Sequence, residues 1–260
     1  MSVVVTSGFL LTPDSVPADR PRLCVNRVTG TVTASTEASG YPASRANNVF
    51  TYAGWQPTAV PATWEIDLGS AEEVDYCGLV GDYGSNGSTI QPQYWDGSAW
   101  QDAASEQIPA SNEPLAFLFN AISASKWRVR VTGAICTISV IKFGKASAVD
   151  RGMQTGFMPG TWNRDNEYTT QRSEGGQILG RVKKRRGTKQ KINIPDIPES
   201  WADDNWDALR ESLEDESVFF IWDPSNHPRH IVYGMTDKDP RLSYSRYGGY
   251  LSLDMEIAGL

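Results

Sequence analysis

The chain has 260 residues, of which 40% are hydrophobic and 21% are charged, a length that allows two domains of ordinary size. No apolar run approaches the roughly 18 residues of a membrane span, so we expect no membrane insertion. The net charge of -7 opposes nonspecific nucleic-acid binding by the whole molecule, and we expect no specific nucleic-acid binding either.

Residues 1–21 are predicted to form an N-terminal arm, because a short β-prone run is followed by a loop that contains Pro13 and Pro17. The first residues lack both the basic region and the unbroken apolar stretch of a secretory signal. We therefore expect the protein to be made and assembled in a cytoplasm.

A strand pattern extends from residue 22 to residue 146. Trp64, Ile66 and Leu68 alternate with Glu65 and Asp67, which predicts a strand with one face on the core. The strand candidates are 22–28, 29–35, 63–69, 74–80, the hairpin 92–100, 115–119, 126–131 and 135–143. About eight short strands separated by turn signals indicate a sandwich or jelly roll.

Aromatic residues and cysteines in this region are predicted to be mainly structural. The tryptophans that lie in strand patterns are expected in the core; they are Trp64, Trp95, Trp100 and Trp127. Three widely spaced cysteines, an odd number, argue against a disulfide framework or a zinc site and favour buried free thiols; they are Cys24, Cys77 and Cys136.

Five blocks in this region occur in the order found in one known family. The blocks are 34–43, Trp55, 64–69, 94–100 and 126–131, and together they resemble a discoidin, or coagulation factor 5/8 type C, domain. The resemblance implies an eight-stranded, galactose-binding-like jelly roll over residues 22–146. It also implies that loops at one end of the barrel bind glycans or lipid head groups.

By this resemblance, a set of loop residues forms the candidate glycan site; they are Arg45, Asn47, Asn48, Tyr52, Trp55, Tyr83 and Asn86. Tyr52 and Trp55 lie in a loop flanked by Gly and Pro and suit stacking on a sugar face. The resemblance further implies a disulfide between the domain ends, near Cys24 and Cys136, which the odd third cysteine opposes.

We predict no cofactor, with Ca²⁺ as the one alternative. Oxygen atoms near Asn47, Asn48 and Asp82 suit a hard cation, and lectin-like relatives often hold one. No acidic loop repeat occurs, so ordinary turn residues are the favoured interpretation. No metal site is predicted.

Composition changes after residue 146. Residues 147–175 are predicted to be a linker that wraps, because they carry much to bury, including Phe157 and Trp162. Residues 176–194 indicate a basic hairpin around 186–188. Ser200 is a good N-cap, and the stripe from Ala202 to Leu213 predicts a helix.

Three further strand candidates follow the helix, at 218–222, 230–235 and 250–257. Residues 176–260 are therefore predicted to be a β-sandwich or sheet with one packed α-helix, an α+β arrangement with mainly antiparallel strands. The predicted fold class of the whole chain is mainly β.

The order of hairpin, helix and strands is similar to the tail-tube and distal-tail family of long-tailed bacteriophages, and residues 143–157 resemble a segment of phage virion proteins. The resemblance implies a ring at the tail tip of the virion, with other copies of the chain and other tail proteins as partners. Hairpins and sheet edges pair across subunits in that family. The candidate interface residues are Arg181, Lys183, Lys184, Arg185, Arg186, Lys189, Lys191, Asp203, Asp207 and Glu211.

Three interpretations of the basic hairpin stay open. It can form ion pairs between subunits, it can be a plain solvated hairpin, or it can touch phosphates of DNA passing through a tail lumen. Sticky cationic walls would slow such passage, which disfavours the third interpretation.

Catalytic motifs are absent from the sequence, so we predict no enzyme. The two histidines, His227 and His230, share a loop near two prolines, and no Gly-x-Ser-x-Gly elbow occurs. Adjacent acids such as Glu72 and Glu73 point in different directions, unlike the facing pair of a glycosidase. Residues 81–84 lack the lysine and the following helix of a phosphate-binding loop.

Two functions from different classes follow. The first is a structural component of a phage tail tip, a distal-tail-like ring protein that carries an outward module for host-surface glycans or for docking a fibre. The alternative is a free-standing, lectin-like carbohydrate-binding protein without an assembly role.

Overall fold

The computed structural model describes residues 3–5, 17, 19–84, 86–162, 165–185, 187–245 and 248–259. The predicted fold class is confirmed, since these residues are mainly β with one packed α-helix. The strands are β1 (Val3–Val5), β2 (Arg22–Cys24), β3 (Thr31–Ala34), β4 (Ala62–Asp82), β5 (Thr89–Trp95), β6 (Trp100–Asp102), β7 (Leu115–Thr132), β8 (Thr137–Gly144), β9 (Ser147–Ala148), β10 (Glu167–Arg172), β11 (Ile178–Arg185), β12 (Thr188–Pro198), β13 (Val218–Ile221), β14 (Ile231–Thr236), β15 (Arg241–Tyr244) and β16 (Tyr250–Gly259).

The N-terminal sandwich is built around two long antiparallel strands, β4 and β7, which run through both of its layers. Their register breaks between Asp67 and Glu72, and Gly69 adopts a positive φ of 76° there, a conformation that favours glycine. The first layer joins the start of β4 and the end of β7 to β3, β5 and β6. The second layer joins their other halves to β1 and β8.

The sandwich core lies between these layers and is rich in aromatic rings. Trp64 of the first layer stacks on Phe143 of the second, with ring centroids 6.5 Å apart. Trp127 lies 5.4 Å from Phe143 and 5.8 Å from Phe119. Trp64 and Trp127 are therefore buried between the sheets, as the alternating pattern predicts.

The second sheet has seven strands in the order β12-β16-β14-β13-β2-β9, with β15 paired to β16. The predicted first domain began at residue 22, but Arg22–Cys24 pairs with Phe219–Ile221 of β13 in this second sheet. The physical reason is that Leu23 packs among the apolar residues on the helix side of the sheet.

One face of the second sheet is covered by α1 (Glu199–Asp215). Ala202, Leu209 and Leu213 of the helix pack against strand residues such as Ile194 and Leu253. The helix begins one residue before the predicted Ser200 N-cap, after Pro198, and has no side-chain capping hydrogen bond. Within the described ranges, no helix is both long and apolar enough to cross a membrane.

The opposite face of the second sheet packs on the second layer of the sandwich. Phe219 and Tyr233 share one apolar cluster with Tyr76 and Val80. At Gly78 a Cβ would lie 2.5 Å from the Phe219 ring, so the glycine allows close approach of the two sheets. The two halves of the chain therefore share a core.

Charged groups cross the same contact. The buried Lys142 ammonium donates to the Ser217 carbonyl at 2.5 Å and pairs with Glu216 at 3.2 Å. Glu216 also accepts from Arg27 at 2.6 Å. Burial lowers the pKa of Lys142 to about 8, against the opposing effect of Glu216.

Strands β10 and β11 form a separate two-stranded sheet, which we call the ribbon. The predicted hairpin around 186–188 would have paired β11 with β12, but β12 pairs with β16 in the large sheet. Ile192, Ile194 and Ile197 of β12 are buried there, whereas the side chains of β11 are largely exposed. Burial of the apolar face of β12 decides the pairing.

Candidate functional site

Several loops meet at one end of the sandwich, where β4 ends and β7 and β8 begin. The backbones of Trp55 and Ile138 exchange two hydrogen bonds of 2.9 Å. Asn86 donates to the Ile135 carbonyl at 3.2 Å, and Asn112 donates to Asp82 at 2.6 Å. These bonds hold the loop 35–61, the loop after β4 and the turn before β8 together.

Trp55 does not belong to an exposed site. Its side chain is fully buried in the sandwich core, and its Nε1–H donates to the Thr36 carbonyl at 3.0 Å. Gly54 lets the backbone approach β8, since a Cβ there would lie 2.7 Å from the Ile138 carbonyl oxygen. The expectation that Trp55 stacks on a sugar is therefore wrong for this structure.

Tyr83 is buried as well. Its hydroxyl donates to the carbonyls of Leu79 and Glu113, at 3.1 and 3.0 Å, and burial raises its pKa above the ordinary range. Asn86 is exposed, but its Oδ1 accepts the Ser88 N–H at 2.8 Å and so shapes the turn. Tyr83 supports the loop from within and is not a contact residue.

An exposed aromatic pair remains at this end of the sandwich. Tyr52 is 86% exposed and Phe50 is 54% exposed, with ring centroids 5.7 Å apart. Arg45 is also exposed, and Asn47 is half-buried. Phe50 is a contact candidate that the sequence analysis missed, although its place two residues before Tyr52 in a polar loop was a usable signal.

The second sheet contacts the loop that carries Phe50 and Tyr52. Tyr233 of β14 donates its hydroxyl hydrogen to the Val49 carbonyl at 2.6 Å. Asn48 accepts the Phe50 N–H on Oδ1 at 2.6 Å and donates to the Arg45 carbonyl. Asn48 therefore stabilises the turn. Among the described residues, no group of three or more His, Cys, Asp or Glu side chains could hold a metal ion.

Trp95 and Trp100 lie on the outer face of the first layer and are only half-buried. Tyr94 packs inward against Trp127 at 5.9 Å, so the alternation of β5 turns Trp95 outward. The two indoles form an edge contact at 5.5 Å, with the Arg128 guanidinium 4.2 Å from the Trp100 ring. The expectation that both tryptophans are core residues is therefore wrong.

The candidate interface cations lie in two different settings. Arg181, Lys183 and Lys184 are exposed on the ribbon, with Arg181 3.7 Å and Lys183 5.6 Å from the Tyr168 ring centre. Lys189 instead pairs with Glu256 and, at 3.4 Å, with Asp237 within the chain. Lys191 is exposed on β12; Arg186 lies outside the described residues, and Arg185 is described by its backbone alone.

The acidic candidates Asp203, Asp207 and Glu211 are exposed on α1. Among the residues that the structure describes, no ion pair joins them to the ribbon cations. Arg210 pairs with Glu214 on the same helix at 3.4 Å. One copy of the chain therefore presents a basic ribbon and an acidic helix face as separate surfaces.

A cleft of about 1120 Å³ lies beside β12 and is lined by four basic and four acidic side chains. Lys189 and Glu256, which line it, are already paired with each other. The balanced charge of this cleft favours neither an anionic nor a cationic ligand.

The three cysteines are free and buried. Cys24 lies between the two sheets, whereas Cys136 lies in the sandwich core, so the disulfide that the resemblance implied does not form. Burial raises the pKa of Cys136 to about 11, which keeps the thiol protonated and unreactive near neutral pH.

His227 and His230 pack in an aromatic cluster of the second half of the chain. His227 stacks on Trp222 with centroids 4.6 Å apart, and Trp162 contacts His230 edge-on at 5.1 Å. Burial lowers the pKa of His230, and the nearby His227 adds to this effect. The two rings are therefore packed side chains rather than isolated turn residues.

Neither a protein-family model nor a curated protein sequence matches this chain. Similar solved structures include carbohydrate-binding modules. One is a pectin-binding carbohydrate-binding module, with 17% identity, a TM-score of 0.41, and coverage of 47% of this chain and 94% of that chain. Another is the family 32 module from C. perfringens NanJ in complex with galactose, with 17% identity, a TM-score of 0.39, and coverage of 44% and 91%.

A third is chitosan-binding module 2 of a chitosanase/glucanase from Paenibacillus sp. IK-5, in complex with chitotriose. It has 16% identity and a TM-score of 0.40, and the match covers 46% of this chain and 98% of that chain. With identities and TM-scores this low, none of these ligands is carried to the present chain.

Proposed function

We propose that this chain is a structural, non-enzymatic protein that assembles with copies of itself through the ribbon and carries the sandwich as a recognition module. The observation that supports this most is the ribbon itself. It pairs with no other strand among the described residues, and it exposes Ile178, Leu179 and Val182 by 64–66%.

A partner that covers the solvent-exposed ribbon would stabilise it. An isolated two-stranded hairpin is at best marginally stable in water. Burying an aliphatic side chain fully contributes about 1.5–3 kcal/mol, so covering any one of these side chains outweighs a surface ion pair of about 0–1 kcal/mol. Apolar contact would drive the association, and charge would orient it.

The charges support a second copy as the partner. Cations on the ribbon and acids on α1 lie on separate surfaces of one copy, so a ribbon that meets a neighbouring helix makes a head-to-tail contact. Head-to-tail contacts generate rings when the rotation closes and filaments when it does not. A closed ring is the assembly proposed here.

The tail-like resemblance of the second half of the chain supports a more specific role. In this proposal the ring belongs to the tail tip of a long-tailed bacteriophage virion and contacts other tail proteins. The sandwich then faces outward, where the Phe50 and Tyr52 rings recognise a host-surface glycan or a fibre docks.

Sedimentation velocity over a range of concentrations tests assembly. The wild-type chain is expected to form a discrete oligomer, whereas the double variant Ile178→Asp/Leu179→Asp stays monomeric. Ile108→Asp is the matched control, because Ile108 is a similarly exposed apolar residue on the sandwich. A wild-type chain that stays monomeric at every concentration, or a ribbon variant that assembles normally, contradicts the proposal.

A free-standing lectin is the second candidate, and the exposed Phe50 and Tyr52 rings favour it. Glycan-array binding that is lost in Tyr52→Ala and kept in Tyr244→Ala, another exposed tyrosine, would support recognition by this loop. The same result from a chain that is monomeric throughout would favour the lectin over the assembly protein.

A further inference from the structure

We propose that the outer face of the first layer of the sandwich binds a neutral glycan chain, which lies across the strands from β3 to β6. This inference rests on the proposed role of the sandwich as a recognition module. It adds a second binding surface to the loop that carries Phe50 and Tyr52.

Strand register places polar and aromatic side chains in a row on this outer face. The strands β3, β4, β7, β5 and β6 are neighbours in that order, and residues directly opposite each other share a face. Thr31, Asp67 and Lys126 are opposed in turn across the first three strands. Trp95 and Trp100 are opposed on the last two and continue the row.

A second row lies beside the first and consists of polar side chains. Its members are opposed in turn across the same five strands; they are Thr33, Glu65, Arg128, Gln93 and Asp102. Five strands spaced at about 4.8 Å span about 19 Å, a width that suits a chain of sugar rings better than a single ring.

The polar row fixes the indole rings in place. Nε of Arg128 donates to Gln93 at 2.7 Å, and Gln93, only 6% exposed, donates to Asp102 at 2.6 Å. The same guanidinium lies 4.2 Å from the ring centre of Trp100, which meets Trp95 edge-on. Because the rings are held before a ligand arrives, binding costs less conformational entropy.

A groove of about 540 Å³ opens on the same face. Thr31, Thr33 and Lys126 are among the residues that line it. Glu65 also lines the groove and lies 3.7 Å from Arg128, the residue that contacts the indoles. A ligand that fills the groove can therefore extend over the aromatic end of the face.

The charge of this face indicates a neutral ligand. Lys126 pairs with Asp67 at 2.8 Å, and Arg128 lies 3.7 Å from Glu65. In all, three acids and three cations share the face; they are Glu65, Asp67, Asp102, Lys126, Arg128 and Arg130. Such a balance favours neither a polyanion nor a polycation.

The chemistry of a glycan matches both parts of the face. Carboxylate, amide and guanidinium groups offer several hydrogen-bond donors and acceptors to hydroxyl groups. Indoles pack against the apolar C–H side of a sugar ring. A protein partner suits the face less well, because the cores of protein interfaces are depleted in charged residues and both rows here are mostly polar.

Native electrophoresis in gels that contain a polysaccharide tests this inference. Galactomannan, xyloglucan and dextran serve as neutral probes, and heparin serves as the anionic one. The wild-type chain should be retarded by at least one neutral polymer and not by heparin. Retardation by no neutral polymer, or by heparin alone, overturns the inference.

Variants of the face locate the binding. Trp100→Ala should raise the dissociation constant for the retarding polymer at least about tenfold, whereas Trp162→Ala, at an exposed tryptophan outside the face, should not. Thr33→Arg fills the groove from an exposed position and should weaken binding without disturbing the core. Thr58→Arg, at another exposed threonine, is its matched control.

Tyr52→Ala separates failure of this inference from failure of the proposed function. If Tyr52→Ala abolishes retardation while Trp100→Ala and Thr33→Arg bind like wild type, the loop is the glycan site. The inference then fails, and the recognition role stands. If binding persists in all three variants, neither surface is the glycan site, and assembly through the ribbon is still decided by sedimentation.

Discussion

Strands β13 and β11 differ in the exposure of their apolar side chains. Phe219 and Ile221 of β13 point away from the packed helix and are fully buried, because the second layer of the sandwich covers them. Ile178 and Val182 of β11 are equally apolar, yet the chain leaves them in water. The first surface is covered when the chain folds, whereas the second stays exposed in the single chain and is the surface that the proposed assembly would cover.

The difference also shows in how closely the backbones approach. Gly78 lies against the Phe219 ring with no room for a side chain, whereas Gly180 faces open space. At the first surface, the two sheets are therefore in van der Waals contact in the folded chain. Substitutions in β13 should therefore act strongly on folding. Comparable substitutions in β11 should instead act on the proposed assembly.

The largest effect on folding is expected for Phe219→Ala. Removing this fully buried ring leaves a cavity between the two sheets, which should lower the free energy of unfolding by about 3–5 kcal/mol. Leu179→Ala on the ribbon should change it by less than about 0.5 kcal/mol. Urea unfolding of both variants at low protein concentration measures this difference. Similar decreases in the free energy of unfolding of the two variants would contradict the prediction.

Gly78→Ala should have the next largest effect on the free energy of unfolding. The added Cβ would lie 2.5 Å from the Phe219 ring, and overpacking of this kind costs about 1–3 kcal/mol. Gly180→Ala on the ribbon is the matched control and should leave unfolding unchanged. Combining Gly78→Ala with Phe219→Leu should recover part of the loss, and an additive loss would argue against the steric explanation.

Lys142 predicts a pH dependence of stability at the same contact. Its folded pKa of about 8 lies below the ordinary 10.5, so between these values the unfolded chain holds a proton that the folded chain has released. The contribution of Lys142 to the free energy of unfolding therefore rises with pH across this window and is lost again as the pH falls through 8.

Urea unfolding from pH 7 to pH 10.5 tests this dependence as the difference between wild type and Lys142→Met, since buried thiols and phenols titrate oppositely at high pH. Lys145→Met, at a more exposed lysine with a Glu73 partner, is the control. A difference curve that is flat across the window would refute the assigned role of burial.

The smallest effect is expected for Tyr233→Phe. It removes the hydrogen bond to the Val49 carbonyl and should cost about 0.5–1.5 kcal/mol. Hydrogen exchange should quicken in residues 47–52 while the ribbon is unaffected. Tyr244→Phe, whose hydroxyl bonds Glu199 on the surface, should change neither quantity.

Local patterns in the sequence were enough to predict the class of fold. The alternation around Trp64 and Ile66 and the helical stripe of Leu209 and Leu213 each record which side of an element is buried. Strand partners are not recorded locally. The pairing of Arg22–Cys24 with Phe219–Ile221, and that of β11 with β10, depend on packing between distant segments.

The candidate contact residues were harder to predict for the same reason. Tyr52 and Trp55 lie in one polar loop, but a carbonyl of Thr36 and the edge of β8 bury only the tryptophan. In the 92–100 hairpin, adjacent aromatic residues Tyr94 and Trp95 must face opposite sides of a strand. Composition alone does not say which one faces the core.

The pairing of β2 with β9 has a topological consequence. Leu23 and Ser147 are antiparallel partners in the second sheet, yet nearly all of the sandwich lies between them in the chain. The sandwich is thus an insertion into a hairpin of the other domain, anchored by both of its ends. The sandwich therefore has no single hinge. A deletion that joins β2 to β9 by a short turn would remove most of it.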